Sequence, residues 1–333
     1  MAPRILVAGG YGLVGSTFAR LIREINSEVE LVLAGRNPEK GAALAQELGH
    51  ASTAYLDLED IAAIGNLPPA DLFVAALYDP ANVLVGAALR NGIGHIGITT
   101  KADDVAPIAC AALRLPPKRP IVLLGHCMAG AATITAQWAT EHFNRVDTIE
   151  LAAVFDIRDP VGPMTAADAD MLISRAILRE GGKWKWLDGR EQGRNVRLSS
   201  DSVVEAYPTS LLDAPSLAAV TGASNVRLDM AQGDSLGTLA GGRASSDVYI
   251  DIAGILKSGG AGKRRTVLSD PNGLAHLTAL GVLVATERVL GLDGKTPAAD
   301  GLHLPETLVH PEAATARFKR FGVRITSGTN DLV

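Results

Sequence analysis

Cysteine is scarce. Cys110 and Cys127 are the only two in 333 residues, too few for a disulfide framework, which predicts a reducing compartment. Met1-Ala2-Pro3-Arg4 runs straight into a strand pattern, so no signal peptide is expected and the protein is read as cytoplasmic. No charge sign dominates. A net charge of −5 and a pI near 5.8 leave no electrostatic footprint for a nucleic-acid partner. Lys118-Arg119 and Lys263-Arg264-Arg265 read as solvated loop ends. Long apolar runs are missing too. The most apolar helix candidate, Gly273 to Leu290, is interrupted by His276, Glu287 and Arg288, which predicts a core helix and no membrane partner. There is no HExxH and no paired Cys-x-x-Cys, so no metal is expected. No tyrosine stands four residues before a lysine, which leaves a tyrosine–lysine acid pair unsupported. Repeats and low-complexity tracts are absent.

Glycine, by contrast, is placed with purpose. Ile5 to Ala8 reads as a buried strand, and Phe18, Leu21, Ile22 and Ile25 read as a helix. Between them lies Gly9-Gly10-Tyr11-Gly12-Leu13-Val14-Gly15, which fits the dinucleotide fingerprint G-x-G-x-x-G. Glycines there allow a tight turn, the approach of a pyrophosphate to the helix N-terminus, and close helix–strand packing. The next strand, Glu28 to Leu33, ends in Ala34-Gly35-Arg36-Asn37. An NAD-selective site carries an acidic residue here to bind the ribose hydroxyls, whereas a guanidinium suits the extra phosphate of NADP. Arg36, with Lys40 one turn on, therefore predicts NADP(H). The candidate cofactor-binding set is Gly9, Gly10, Gly12, Leu13, Val14, Gly15, Arg36, Asn37 and Lys40, with Asp57 and Ala76 on the third and fourth strands.

The first 126 residues alternate strand and helix, with strands at Ala54 to Leu58, Asp71 to Leu77, Ile93 to Thr99 and Pro120 to Gly125. Continuous apolar strands between helices predict an α/β, Rossmann-type doubly wound parallel sheet. Past His126 the pattern changes to period-2 alternation, notably in Thr148 to Phe155 and Asp247 to Leu256, and Ser258 to Lys263 turns the latter into a hairpin. That predicts an α+β second domain with a mixed or antiparallel sheet. The expected boundaries are 1–126 for dinucleotide binding, 127–300 for substrate and dimerisation, and 301–333 as a segment returning to the first domain.

The run Val7 to Gly15, then Leu33-Ala34-Gly35-Arg36-Asn37-Pro38-Glu39-Lys40 and Leu44-Ala45-Gln46-Glu47-Leu48-Gly49, resembles the saccharopine dehydrogenase-like oxidoreductases. Gly92 to Thr100 is similar to that family's glycine–histidine segment, although members often carry an acidic residue where this chain has Gly97. Glu205 to Ser210 and Leu304-Pro305-Glu306 match its looser second-domain signatures. The resemblance covers the first 130 residues well and the rest patchily. It implies an NAD(P)-dependent oxidoreductase, with a second domain that binds substrate and often a second subunit. Hydride transfer on a C=N or C=O bond of a small polar metabolite is the leading expectation. A sensing module without turnover and a reductase of activated C=C bonds are the alternatives.

His126 and Cys127 follow the Ile121 to Leu124 strand, where parallel strands form a ligand crevice. His126 either donates a proton there or caps the next helix, with Cys127 buried beside it. Tyr78, past the fourth strand, walls the nicotinamide pocket or shields the sheet end. Arg158 and Arg243 are candidates to clamp a substrate carboxylate. Trp184 and Trp186 alternate around Lys185 on one strand face, which suits a subunit or domain contact, and the resemblance implies a homodimer. Gly233-Asp234-Ser235-Leu236-Gly237 matches the G-x-S-x-G elbow and echoes the Gly-Asp-Ser-Leu esterases. Gly237, Gly241 and Gly242 follow it, so a glycine-rich loop without a helix is expected.

Overall fold

The computed structural model describes residues 2–98, 101–162, 172–198 and 202–329, so Thr99 and Thr100 of the glycine–histidine segment lie outside it. Two compact units emerge: residues 1–125 with 279–308, and residues 126–278 with 309–333.

In the first unit, β1 (Arg4–Ala8), β2 (Glu30–Gly35), β3 (Ala51–Tyr55), β4 (Leu72–Ala75), β5 (Gly94–Gly97) and β6 (Pro120–Leu123) form a sheet with β15 (Gly301–His303). Its order is β15-β6-β5-β4-β1-β2-β3, with every pairing parallel. Ile5, Leu6, Leu33, Leu72, Ile96 and Ile121 are buried, as strands covered on both faces require. Helix α1 (Leu13–Ile25) turns Phe18 and Ile22 inward. Burial of those two stabilises the unit by roughly 2–3 kcal/mol each. Helices α2 (Ala42–Leu48), α3 (Ile61–Gly65), α4 (Val83–Asn91) and α5 (Val105–Arg114) complete the alternation. The order reverses between β1 and β4. In open parallel sheets ligands bind beyond the strand ends at such a reversal.

In the second unit, α6 (Ala131–Ala139) leads into β7 (Phe143–Phe155), followed by the hairpin β8 (Ala176–Glu180) and β9 (Lys183–Leu187). Then come β10 (Arg194–Arg197), β11 (Val203–Pro208), β12 (Asn225–Gln232), β13 (Ser246–Leu256), β14 (Ala261–Asp270) and β16 (Arg324–Thr329). The sheet runs β10-β11-β12-β7-β13-β14-β16, and the β8–β9 hairpin joins at β12. Among the described residues only β12 and β7 are parallel, so the sheet is mixed. Ile250 and Ile252 on β13 face Leu151 and Ile149 on β7, all buried. The opposite face carries a second cluster around Ala152, Val154, Leu198, Ala231 and Tyr249. The Arg265 guanidinium on β14 donates to the carbonyl of Arg197 on β10, which brings the sheet's distant strands together over that cluster.

The boundaries differ from the expected ones at the C-terminal end. The Leu274–Leu290 helix passes into the first unit at Ala279, and only 301–308 return there from the expected returning segment. Residues 309–329 stay with the second unit because β16 pairs with β14.

Candidate functional site

β1 ends at Ala8, and Gly9 turns the chain with φ +75°, a left-handed value that costs glycine little. Its N–H donates to the Ala34 carbonyl at 2.8 Å, and its own carbonyl accepts from Gly12 at 2.9 Å. A Cβ on Gly9 would lie 2.7 Å from the Ala76 carbonyl, and one on Gly15 would lie 2.9 Å from Gly10 Cα. Both glycines are therefore demanded by protein packing. Gly12 is different. It is exposed and extended, and a Cβ there would meet only the Gly9 carbonyl, at 3.1 Å. It sits at the N-cap of α1 without a side-chain cap, so the first-turn N–H groups of Leu13, Val14 and Gly15 have no preceding helical carbonyl to bond. An open, uncapped helix start at the strand reversal fits a pyrophosphate by both hydrogen bonding and the helix dipole.

Around the end of β2, Arg36, Asn37 and Lys40 are exposed, and no carboxylate occupies the strand end. Asp57 lies just beyond β3 and accepts from the Glu59 N–H at 3.1 Å. Tyr11 is a residue that motif reasoning passed over. Its hydroxyl accepts from the Asn37 N–H at 2.9 Å, linking the phosphate turn to the β2 end. The signal was present in Gly35 and Gly41, which both make room for its ring.

At the end of β4, the Ala76 N–H donates to the Ala8 carbonyl at 2.9 Å across the strand reversal. Tyr78 is 37% exposed, with the Lys101 ammonium 5.6 Å from its ring centre. Asp79 caps α4 by accepting from the Val83 and Leu84 N–H groups, each at 2.8 Å. Below them His95 lines a cavity of about 20 Å³ together with Tyr78, Asp79, Asn82 and Asp104. Among the described residues neither ring nitrogen of His95 meets a hydrogen-bond partner, and burial pushes its pKa down to about 4.

In the second unit His126 and Cys127 are buried. His126 Nε2 lies 2.6 Å from Ser216 Oγ, and burial pushes its pKa down to about 3. The Cys127 N–H donates to Asp213 at 2.8 Å, and the Thr133 hydroxyl donates to the same carboxylate at 2.6 Å. Burial pushes Asp213 up to about 6 against those two bonds, and burial and then the Asp213 charge raise the Cys127 thiol. Asp213 and Ser216 both belong to the Asp213–Thr221 helix. They flank a turn in which Met128, Ala129 and Gly130 take φ +48°, +49° and +86°. Left-handed backbone costs each non-glycine residue roughly 1–3 kcal/mol and persists only where its surroundings hold it. The Ser216 contact ties the imidazole, which burial holds neutral near pH 7, to that turn.

Arg158 already pairs with Asp156, at 3.1 Å, and with Asp234. Burial would raise the Asp156 carboxyl, but hydrogen bonds from Thr238, Ser235 and Arg158 hold it well below the usual range. Arg243 is exposed, and its charge works against the burial that raises Asp159. Contrary to expectation, a helical turn, Leu236–Leu239, does follow Ser235. Ser235 is nevertheless 1% exposed, donates to Asp156 at 2.9 Å and caps that turn, so its hydroxyl is structural. Among the described residues no cluster could hold a metal ion, and no helix is long and apolar enough to cross a membrane.

No protein-family model matches the sequence, and no curated protein does either. Among solved structures, the chain is similar to apo saccharopine dehydrogenase (L-Glu forming) from Saccharomyces cerevisiae. Identity is 12%, coverage is 98% of this chain and 100% of that one, and the TM-score is 0.73. A myo-inositol dehydrogenase from Corynebacterium glutamicum matches at 14% identity over 100% of both chains, with a TM-score of 0.48. The WlbA dehydrogenase from Chromobacterium violaceum, in complex with NADH and UDP-GlcNAcA, matches at 13% identity over 99% of both, with a TM-score of 0.46. The first likeness establishes a saccharopine dehydrogenase-like fold.

Proposed function

We propose that the chain is an NADP(H)-dependent oxidoreductase acting on a C=N or C=O bond of a small polar metabolite. The observation that carries this reading is the uncapped start of α1 at Gly12, open to a ligand at the reversal between β1 and β4. Arg36 and Lys40, exposed at a β2 end that lacks a carboxylate, support NADP(H) over NAD(H). The cofactor, when bound, supplies the hydride chemistry, and the protein orients it and excludes water. The amides of Leu13, Val14 and Gly15 would hold the pyrophosphate, and Asn37, Asp57 and Ala76, at the ends of the second, third and fourth strands, would complete the cofactor-binding set. Tyr78, accessible at the end of β4, takes the proton-donor role in place of the buried His126 and Cys127. Arg243 binds a substrate carboxylate more readily than Arg158, whose guanidinium is engaged by two aspartates. The protein is cytoplasmic and forms a homodimer through the second unit, where Trp184 and Trp186 lie exposed on β9.

The test is NADPH consumption, followed by absorbance, against amino acid plus oxo-acid pairs, ketones and enoyl compounds. Acceleration by a carbonyl or imine-forming mixture supports the proposal. Acceleration by enoyl compounds alone replaces it with C=C reduction. Tight NADPH binding with no acceleration makes the chain a dinucleotide sensor, and the absence of binding removes the reading.

A further inference from the structure

We infer that Tyr11 is a specificity-determining residue: its ring occupies the place at the β2 end where an NAD-selecting carboxylate would stand, and its hydroxyl serves the phosphate-bearing side of the cofactor. This rests on the dinucleotide reading above.

Gly35 ends β2 with an ordinary backbone conformation; it is not among the glycines with positive φ. Glycine is therefore not needed there for its dihedral freedom. What requires it is space. A Cβ on Gly35 would lie 2.7 Å from Tyr11 Cζ and closer still to the hydroxyl. Gly41 tells the same story, since a Cβ there would lie 2.8 Å from Tyr11 Cδ1 and 3.0 Å from the Thr53 methyl. Its backbone is also ordinary. Two glycines with no conformational need thus frame one slot, and the Tyr11 ring fills it. A carboxylate at position 35 is incompatible with the ring in this position and would require Tyr11 to shift.

The hydroxyl adds a second contribution. It accepts from the Asn37 N–H, which fixes the backbone beside Arg36. A phenol has one donor and two acceptor sites, so its hydrogen remains available to an acceptor approaching from the exposed side. Arg36, Asn37 and Lys40 are all exposed around it. Tyr11 therefore belongs to the same anion-receiving edge as Arg36, and it enforces the absence of the competing acid.

The test is calorimetric titration of the full chain with NADP+ and NAD+, using the wild type, Tyr11→Phe, Gly35→Asp and the double variant Tyr11→Ala/Gly35→Asp. Tyr11→Phe keeps the ring and loses the hydroxyl. It should weaken NADP+ about tenfold, the scale of one hydrogen bond to a charged group, and leave NAD+ nearly unchanged. The double variant should bind NAD+ about tenfold or more tightly than Gly35→Asp alone, because only it has room for a ribose-facing carboxylate. Circular dichroism shows whether Gly35→Asp folds; if it does not, Tyr11→Phe decides the matter by itself. Equal changes in both affinities on Tyr11→Phe would overturn the inference. So would a folded Gly35→Asp that gains NAD+ as well as the double variant does. A wild type that binds neither nucleotide would instead overturn the dinucleotide reading beneath it.

Discussion

The Asp213 carboxylate receives the backbone N–H of Cys127 at 2.8 Å, across 86 residues of chain and with both groups buried. That bond, with the His126–Ser216 contact, ties a strained left-handed turn to the start of one helix. Burial and the Ser216 contact favour the structural one of the two readings that the place of His126 after a parallel strand left open.

His126→Asn should accordingly keep turnover within a few-fold of wild type while lowering the melting temperature. Replacing a buried hydrogen-bonding group costs about 1–3 kcal/mol when its partner is left unsatisfied. Steady-state rates and thermal melts on the same preparation check both halves. A turnover loss of about 100-fold with an unchanged melting temperature would restore His126 as the proton donor.

Gly12→Val should abolish dinucleotide binding in a protein that still folds. A Cβ at Gly12 meets only one carbonyl oxygen, at 3.1 Å, so the branched side chain projects mainly into ligand space. The same change at Gly15, where a Cβ would lie 2.9 Å from Gly10 Cα, should unfold the turn instead. Calorimetry with circular dichroism separates the two, and normal binding by a folded Gly12→Val would refute the phosphate site.

Arg36→Asp should lower NADP(H) affinity and spare NAD(H), because it removes the guanidinium proposed to bind the extra phosphate. It should not confer full NAD(H) selectivity while Tyr11 fills the slot beside Gly35. Titration of both cofactors measures the ratio, and an unchanged ratio would remove Arg36 from the site.

His95 predicts a pH dependence of stability. Its folded pKa, pushed down to about 4, lies below the ordinary value of 6.5. The folded state thus resists a proton that the unfolded chain accepts, and stability present above pH 6.5 is lost as pH falls toward 4. Relative to wild type, His95→Gln should gain on the order of 2 kcal/mol between pH 7 and pH 5. Denaturant melts of the pair at the two pH values read this difference directly. Parallel curves would show that His95 is not held neutral. Asp213 works in the opposite sense: raised to about 6, it stabilises the acid side, and that contribution fades as pH rises from about 4 through 6.

Trp184→Ala should weaken a homodimer. Trp184 and Trp186 are 46% and 45% exposed on a strand that, among the described residues, pairs only with β8, and Arg179 and Arg175 lie over their rings. Large exposed aromatics with stacked arginines are the side chains that anchor interfaces. Light scattering at micromolar concentration gives the mass, and a wild-type species of 34.6 kDa would contradict the dimer.

The amino-acid sequence by itself determined the elements whose signals are local. The strand Ile5 to Ala8, the glycine turn, the α1 stripe of Phe18 and Ile22, and the parallel-sheet pattern up to Leu123 all follow from periodicity and turn chemistry. The change to alternating strands after His126 was also legible, because period-2 burial holds at 149–151 of β7 and 250–254 of β13, although both faces are buried elsewhere along them. Tertiary structure decided whatever depends on distant partners. It placed β16 beside β14 and left only β15 of the C-terminal region with the first sheet, a choice made by edge hydrogen bonds that no local pattern encodes. It also buried His126 against Ser216 and Ser235 against Asp156, contacts between residues far apart along the chain. The Tyr11 slot shows the same division. Its two glycines are visible in the sequence, but that they exist to admit one aromatic ring follows only from the close approach of the phosphate turn to the end of β2.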